Sequence, residues 1–226
     1  MTEFCELPRV AFPGEDYTTL ATVKKTGGFV PEGEFTLRRQ LCKAAAQLAG
    51  ELGITMISTH AGFVPPSSDP LYAALVDRVS LIAEDMQQYG ITLLIESGQE
   101  TAPEMLQFFN DLRTNNVRVN FDPANMILYG MEDPIEPIGI LGRHIGHVHV
   151  KDAVLSSVPG ATWGEEVVFG AGQVPAKEFL LALREAGYAG PLMIERERGE
   201  ARFADIATAV EVLQEAATAP VSADPT

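Results

Sequence analysis

The chain has 226 residues, of which 46% are hydrophobic and 21% are charged, with a formal net charge of −15 and a pI near 4.6. This length and composition fit one domain with a substantial core. The acidic charge argues against generic nucleic-acid binding, and no apolar run approaches the roughly 20 residues that span a membrane. Cys5 and Cys42 are too few for a disulfide scaffold, and the acidic N-terminus lacks a signal-peptide pattern, so we expect a cytoplasmic protein with reduced thiols.

The first part of the chain is predicted to hold one short strand followed by a long loop. Residues 7–12 are mostly apolar and predict the strand. Residues 13–34 contain repeated glycine and proline and have no clear period, which predicts a loop. A segment this long without an element is typical of a functional loop or of one folded over an opening.

After this loop, predicted helices and strands alternate. The helices have apolar residues at a spacing of three or four, and Thr36, Asp69 and Thr101 are predicted to cap the first three. Pro137 is predicted to interrupt a weak helix, and residues 122–125 to form a turn. The helices are predicted at 37–52, 70–89, 102–112, 133–142, 176–186 and 203–217, the strands at 54–58, 91–96, 117–121, 145–150 and 191–195, and a second long loop at 153–174.

This alternation predicts an α/β fold with parallel strands. The junctions 52–55 and 89–92 both read helix, glycine, strand, which indicates a repeated unit. Polar residues follow the strands at their carboxyl ends, where the active sites of (β/α) barrels lie. We therefore predict a single TIM-type (β/α) barrel domain over residues 1–217 and a disordered tail over 218–226.

The strand at 145–150 and the residue after it carry a dense group of polar side chains. Because successive side chains of a strand point to opposite faces, His147, His149 and Lys151 share one face. A buried strand must satisfy all three groups, which a metal ion or a polar substrate would do. His147 lies deeper and fits a buried, hydrogen-bonded histidine, whereas Lys151 either neutralises an anionic substrate group or forms an ion pair with Asp152 or Glu195.

Three further strands each end in one carboxylate, at Glu96, Asp122 and Glu195. With His149 they supply three carboxylates and one imidazole, a set that suits Mn²⁺, Co²⁺, Mg²⁺ or Fe²⁺ better than a structural Zn²⁺ site, which favours thiolate. The alternative interpretation is that each side chain forms a separate buried ion pair or helix cap.

Two more polar residues near these strand ends are candidates for substrate contacts. His60 ends its strand, where it can contact a substrate hydroxyl. Asn125 either bonds a substrate oxygen or caps the turn after Asp122. The glycines of 170–172 lack the strand–turn–helix context of a dinucleotide site, so we reject that interpretation.

Taken together, six stretches of the chain resemble the sugar phosphate isomerase/epimerase superfamily of xylose-isomerase-like TIM barrels. The resemblance runs from about residue 7 to residue 215. It is specific for the superfamily and says little about the substrate. The stretches are Ser58-Thr59-His60-Ala61-Gly62, Ile95-Glu96-Ser97-Gly98-Gln99-Glu100, Asn120-Phe121-Asp122-Pro123-Ala124-Asn125, His147-Val148-His149-Val150-Lys151-Asp152, Gly170-Ala171-Gly172-Gln173-Val174 and Ile194-Glu195-Arg196.

The resemblance implies one divalent cation: Mn²⁺, Co²⁺ or Mg²⁺, with Zn²⁺ or Fe²⁺ as alternatives. Its ligands would be Glu96, Asp122, His149 and Glu195, and in the family's ketose 3-epimerases the two glutamates are also the acid/base pair. One glutamate removes a proton next to the carbonyl, the ion stabilises the enediolate, and the other glutamate returns the proton on the opposite face. The resemblance implies a small carbohydrate substrate, with His60, Asn125, His147, Lys151 and Arg196 as the candidate contacts.

Two positions depart from the ketose 3-epimerases, since Asn125 and Leu155 stand where those enzymes have a histidine and an arginine. An isomerase, an epimerase and an inosose-type dehydratase of a sugar, sugar phosphate or polyol therefore all stay open. Two other classes are an endonuclease IV-like enzyme, which would need several zinc ions and more than the four histidines present, and a non-catalytic binding relic.

Length is a second departure, because a full barrel typically needs about 250 residues. If the strand ending at Glu195 is the eighth, the strand near Val10 is the third. About six of the eight strand–helix units of such a barrel are then predicted. Either the true start lies upstream, or the chain is a fragment with open edges that a second copy can cover as a homodimer.

Overall fold

The computed structural model describes residues 8–131 and 133–218, and strands alternate with helices through most of this range. The strands and helices in chain order are α1 (Leu20–Thr26), α2 (Phe35–Glu51), β1 (Met56–Thr59), α3 (Pro70–Gln87), β2 (Thr92–Glu96), α4 (Ala102–Asp111), β3 (Val117–Phe121), α5 (Pro123–Tyr129), α6 (Glu136–Leu141), β4 (Ile145–Val150), β5 (Asp152–Val154), β6 (Glu165–Val167), α7 (Ala176–Glu185), β7 (Leu192–Ile194) and α8 (Arg202–Thr218). The predicted α/β alternation is confirmed.

Five strands form one parallel sheet in the order β1-β2-β3-β4-β7. The strand predicted at residues 7–12 is reduced to a bridge beside β1, where the Val10 N–H donates to the Ser58 carbonyl at 2.9 Å and the Ser58 N–H donates to the Pro8 carbonyl at 2.9 Å. The described residues thus form an incomplete TIM barrel, as predicted. Its two edges are the bridge strand and β7.

The core lies on both faces of the central strands. Leu93, Val119 and Val148, on β2, β3 and β4, are completely buried, as expected of parallel strands covered on both sides. At the β7 edge the cover is thinner: Leu192 is 37% exposed and Met193 is only partly buried. The neighbourhood of Met193 is therefore partly open, in line with the prediction of an open edge.

The loop predicted at residues 13–34 is wrong in part, because it contains α1 and a 3-10 turn at Glu32–Glu34. Helix α1 has a capping box between Thr19 and Thr22 but buries only two side chains, too few to give the sequence a visible period. The Phe29 N–H donates to the Ala61 carbonyl at 2.7 Å, and the Phe29 side chain is completely buried. This segment therefore packs over the carboxyl end of β1.

Three further expectations need correction. Helix α2 begins at Phe35 without a side-chain cap, so Thr36 is not its N-cap. Residues 122–125 are the start of α5 rather than an isolated turn, and Pro137 lies in the first turn of α6, where proline is tolerated. The long loop at 153–174 contains the antiparallel pair of β5 and β6.

The remaining predictions on the chain ends are tested only in part. Thr218 is the last residue of α8, and residues 219–226 of the predicted tail lie outside the described residues, as does Cys5. Cys42 is a buried free thiol. Among the described helices, none is both long enough and apolar enough to cross a membrane.

Candidate metal centre

The four predicted ligands meet at one point above the carboxyl ends of the strands. Glu96 ends β2, Asp122 follows β3, His149 lies near the end of β4 and Glu195 follows β7. Because these strands are neighbours in a parallel sheet, their ends lie at the same edge. Each residue offers one ligand atom, and these atoms all lie within 4.8 Å of one another.

The imidazole of His149 faces all three carboxylates. Its Nδ1 is 3.3 Å from Oε2 of Glu195, 3.7 Å from Oδ2 of Asp122 and 3.9 Å from Oε1 of Glu96. Nδ1 of His149, Oδ2 of Asp122 and Oε2 of Glu96 are buried and make no hydrogen bond within the described part of the chain. Buried polar atoms are rarely left without partners, so these atoms fit the ligands of a cation.

The charges of the cluster balance only in part without a cation. Burial disfavours the imidazolium, but Asp122 and Glu195 outweigh it and raise the pKa of His149 to about 10. Burial likewise opposes ionisation of Glu195, but His149 and Lys151 hold its pKa below the usual range. Burial raises the pKa of Asp122. The imidazolium and the Lys151 ammonium thus face three carboxyl groups, and a divalent ion can take the place of the proton on the imidazole.

Lys151 forms ion pairs in this cluster. Its side chain is 3% exposed, and Nζ donates to Oε2 of Glu195 and to Oε2 of Glu197, each at 2.9 Å. The ammonium is also 3.8 Å from Oδ2 of Asp122. Of the two interpretations open from the sequence, the ion pair is therefore the one observed.

His60 and Asn125 both contact Glu96. Nδ2 of Asn125 donates to Oε1 of Glu96 at 2.9 Å and to the Ser97 carbonyl at 3.2 Å. Nε2 of His60 is 3.4 Å from Oε2 of Glu96. Both side chains also line the cavity described below, so they lie where a substrate would be and at the same time hold a candidate ligand in place.

His147 and Arg196 are not among the described residues that line the cavity, and their role as substrate contacts stays a prediction. His147 is completely buried below His149, and its Nδ1 is 2.9 Å from Oδ1 of Asn120. Arg196 donates to Glu166 at 2.7 Å and to Asp205 at 2.9 Å, and so ties the β6 strand to α8. Both side chains already have structural partners.

A cavity of about 260 Å³ opens above the cluster. One side is aromatic, with the rings of Tyr129 and Trp163 4.9 Å apart. Sequence reasoning missed several of its residues because they lie in segments predicted as loops or at the edge strand. Aromatic residues inside unusually long predicted loops were the sequence signal that could have pointed to these lining residues. The lining residues are Arg9, Tyr17, His60, Glu96, Asn125, Leu128, Tyr129, Lys151, Trp163, Gly164, Glu166, Glu197 and Arg198.

The glycines of 170–172 have a structural role next to this centre. The Asp152 carboxylate accepts the backbone N–H groups of Ala153, Gly170, Gly172 and Val174 at 2.8–3.0 Å. A Cβ on Gly172 would lie 2.3 Å from Oδ1 of Asp152. The chain therefore needs glycine at residue 172 to wrap around the Asp152 carboxylate. This contact explains the glycine motif, and no nucleotide-binding role is needed for it.

Comparison with known proteins agrees with this fold. A family model described as the xylose isomerase-like TIM barrel matches residues 21–216. The chain therefore belongs to the xylose isomerase-like TIM barrel family, which lies in the superfamily that the sequence motifs resemble. This family includes sugar isomerases and epimerases.

Several relatives are similar over part of their length. A xylose isomerase domain protein from Planctomyces limnophilus is 38% identical with a TM-score of 0.87, covering 92% of this chain and 74% of that one. The D-psicose 3-epimerase of Agrobacterium fabrum is 31% identical over 132 residues, 55% of this chain and 41% of the epimerase. The inosose dehydratase of Lacticaseibacillus casei is 24% identical over 153 residues, 61% of this chain and 51% of the dehydratase. The chain spans 33% to 59% of the length of the curated relatives it matches.

Proposed function

We propose that this chain is a divalent-metal-dependent isomerase or epimerase of a small sugar or related polyol. The observation that carries the proposal is the convergence of Glu96, Asp122, His149 and Glu195 beside a cavity of about 260 Å³. The volume suits a small molecule rather than a polymer. Three oxygen ligands and one nitrogen ligand suit Mn²⁺, Co²⁺ or Mg²⁺, with Zn²⁺ or Fe²⁺ as alternatives.

The two glutamates would move the proton. Lys151 fixes the Glu195 carboxylate and Asn125 fixes the Glu96 carboxylate, each at 2.9 Å, so both bases are preorganised. One, as a carboxylate, would take a proton from the carbon next to the substrate carbonyl, and the other, as a carboxylic acid, would donate a different proton to the opposite face. When bound, a divalent ion supplies Lewis-acid polarisation of the carbonyl, which makes that carbon acidic enough.

The cations of the cavity favour an uncharged substrate over a sugar phosphate. Lys151 is paired with Glu195 and Glu197, and Arg9 is 3.5 Å from Glu197. Because Lys151 and Arg9 already face carboxylates, a phosphate that contacts either one would have to displace a carboxylate. Arg198, which also lines the cavity, is a single exposed cation. The net charge of −15 adds a long-range repulsion. We therefore expect neutral sugars and polyols to be turned over better than their phosphate esters.

An inosose-type dehydratase is the second candidate. It would begin with the same proton removal but then lose a hydroxide as water. Asn125 and Leu155 favour it, because these two positions depart from the ketose 3-epimerases. The similarity to an inosose dehydratase supports it as well.

The reaction itself can be tested in heavy water. The protein, loaded with Mn²⁺ or Co²⁺, would be incubated with ketoses, sugar acids and inososes, and the products followed by proton NMR. Deuterium entering at the carbon next to the carbonyl, with the mass of the substrate otherwise kept, would support an isomerase or epimerase. Loss of one water with an enone absorbance would instead support the dehydratase. No deuterium incorporation with any substrate of the panel would contradict both.

Partners follow from the same features. We expect a small carbohydrate as substrate, no nucleic-acid or membrane partner, a cytoplasmic location and a homodimer through the open edges. An endonuclease IV-like activity would require several zinc ions, and the described residues contain one ligand cluster. A non-catalytic relic would bind no ion. Metal content therefore separates all three classes.

A further inference from the structure

Asn120 is a buried residue beside the candidate metal centre. The proposed chemistry gives it no role. It lies near the end of β3, is completely buried, and reaches across to β1 and β4. Its Nδ2 donates to Oγ of Ser58 at 3.0 Å and is 3.3 Å from Nε2 of His149. Its Oδ1 is 2.9 Å from Nδ1 of His147. One amide thus contacts both histidines of β4.

The pairing register between β3 and β4 shifts at Asn120. Val119 pairs with Ile145, but Asn120 pairs with His147, so the register shifts by one residue at Gly146. A Cβ on Gly146 would lie 2.8 Å from Cβ of Arg118, which leaves no room for a side chain. Such irregularities redirect side chains near active sites. Here the shift places both imidazoles beside the Asn120 amide.

The two ring nitrogens of His149 face different surroundings. Nδ1 faces the carboxylates of the cluster, and Nε2 faces Asn120. A neutral imidazole carries one hydrogen, and a nitrogen that binds a metal cannot carry it. A metal on Nδ1 therefore puts the hydrogen on Nε2, where it needs an acceptor. The amide nitrogen of Asn120, as it stands, is a donor.

A half-turn of the amide resolves this conflict. It brings Oδ1 to Nε2 of His149 and to the hydroxyl of Ser58, both of which can donate to it. It also brings Nδ2 to Nδ1 of His147, which accepts once the ring hydrogen is on Nε2, a buried nitrogen without a hydrogen-bond partner in the described part of the chain. All the contacts of Asn120 are then kept with donors and acceptors exchanged.

We propose that Asn120 is a positioning residue of the metal centre, and that its amide oxygen accepts the Nε2–H of His149 when a metal is bound. This inference rests on the metal site of the proposed function. The hydrogen bond fixes which nitrogen of His149 is free to bind and holds the ring toward the carboxylates. Loss of such partners typically weakens metal binding by about 10- to 100-fold.

Two substitutions of similar size test whether the Asn120 side chain acts as a hydrogen-bond acceptor or only fills space. Asn120→Asp keeps an acceptor, and Asn120→Leu removes it. We expect Co²⁺ affinity, measured by calorimetry, to fall about 10- to 100-fold in N120L and to be kept or raised in N120D. The Co²⁺ absorption spectrum should change in N120L, and the exchangeable N–H signal of the coordinated imidazole in paramagnetic NMR should persist in N120D and be lost in N120L.

A matched control is Asn116→Leu, since the Asn116 amide donates to the Ala83 and Ile91 carbonyls rather than to the cluster. It should lower the melting temperature and leave Co²⁺ affinity unchanged. Wild-type affinity and an unchanged N–H signal in N120L would overturn the role of Asn120 alone. A tenfold loss of affinity in N120D would overturn it too, even if N120L does not fold. Failure of the wild type to bind Co²⁺ would instead contradict the proposed function.

Discussion

Glu195 is the most exposed of the four candidate ligands. Its side chain is 22% exposed, whereas Glu96, Asp122 and His149 are 7% exposed or less. Its carboxylate also contacts Lys151, which fixes its orientation. A base must reach the substrate: Glu96 lines the cavity and Glu195 is the most exposed ligand, so both are candidates for proton transfer.

We expect Glu195→Gln to lower kcat by about 100-fold or more and to leave the fold intact, because an amide of nearly equal volume removes both the charge of a metal ligand and the group that accepts the proton. Steady-state kinetics on an identified substrate and circular dichroism would measure the two effects. Glu200→Gln is the matched control, since Glu200 is exposed in the same loop and should leave kcat unchanged. Wild-type turnover by E195Q would rule out the acid/base role.

Glu100 is a buried acid outside the cavity. Its Oε1 accepts the Val64 N–H at 3.1 Å, and burial raises its pKa from 4.5 to about 8 despite that hydrogen bond. The folded state therefore holds a proton that the unfolded chain releases above pH 4.5. The stability linked to this proton is complete below that pH and is lost as the pH rises toward 8.

Glu100→Gln should remove this dependence, because the amide oxygen can still accept the Val64 N–H without titrating. The melting temperature of the variant minus that of the wild type should grow between pH 4.5 and 8 and then level off. Thermal unfolding across this range measures it. A difference that stays constant with pH would mean that Glu100 is ionised in the folded protein throughout.

At the scale of single residues, the sequence predicted where the site residues lie better than it predicted which side chains they contact. Glu96, Asp122 and Glu195 were predictable because each directly follows an apolar strand, and parallel strands place their ends together. The partners of Arg196 were not, because Glu166 comes from a hairpin 30 residues away in sequence. Local spacing carries no information on such a contact.

At the scale of elements, the β5–β6 pair and the turn that follows it form one wall of the site. Asp152 begins β5, and its carboxylate accepts the N–H groups of Ala153, Gly170, Gly172 and Val174. Glu166 on β6 accepts from Arg196 and from the Glu197 N–H, and so ties the β7–α8 loop to the same wall.

We expect Asp152→Asn to lower the free energy of unfolding by about 2–3 kcal/mol, because a charged acceptor of several buried N–H groups becomes a neutral amide. Urea unfolding measures this change. Asp133→Asn is the control: Asp133 also accepts two N–H groups, but at an exposed helix start, and should cost well under half as much. Equal losses would show that the Asp152 contacts add no special stability.

Long, regular helices were predictable from their apolar period, and the short elements were not. Helix α1 has seven residues and β5 and β6 have three each, so none completes enough turns or alternations to show a pattern. The register shift at Gly146 has only the glycine itself as a signal in the sequence. These are the elements that shape the cavity and position Asn120.

At the scale of the whole molecule, the edge strand β7 and the helix that follows it, α8, expose apolar side chains. Phe203 of α8 is 94% exposed, and Ile206 and Val210, three and seven residues later, are 38% and 39% exposed. Leu192 on β7 is 37% exposed. Apolar residues at this spacing form one stripe of the helix, and such stripes mark interaction surfaces. The open edge was predictable from the count of strands, but what covers it was not.

We expect the protein to form a homodimer through this edge. Sedimentation velocity should show a dimer for the wild type, and Phe203→Glu should shift it to monomer by placing a charge in the apolar contact. Val158→Glu is the control, because Val158 is 53% exposed on a different loop and should leave the dimer intact. A monomeric wild type at micromolar concentration, stable to heat, would contradict the expectation.

The count of metal ions bound per chain tests the central claim, a single divalent-metal centre, most directly. The protein would be dialysed against Co²⁺ or Mn²⁺, freed of excess ion and measured by inductively coupled plasma mass spectrometry, beside Asp122→Asn and His149→Ala. We expect one ion per wild-type chain and a small fraction of that in each variant, since each loses one of four ligands. No bound ion, several zinc ions per chain, or one ion that persists in both variants would contradict the claim.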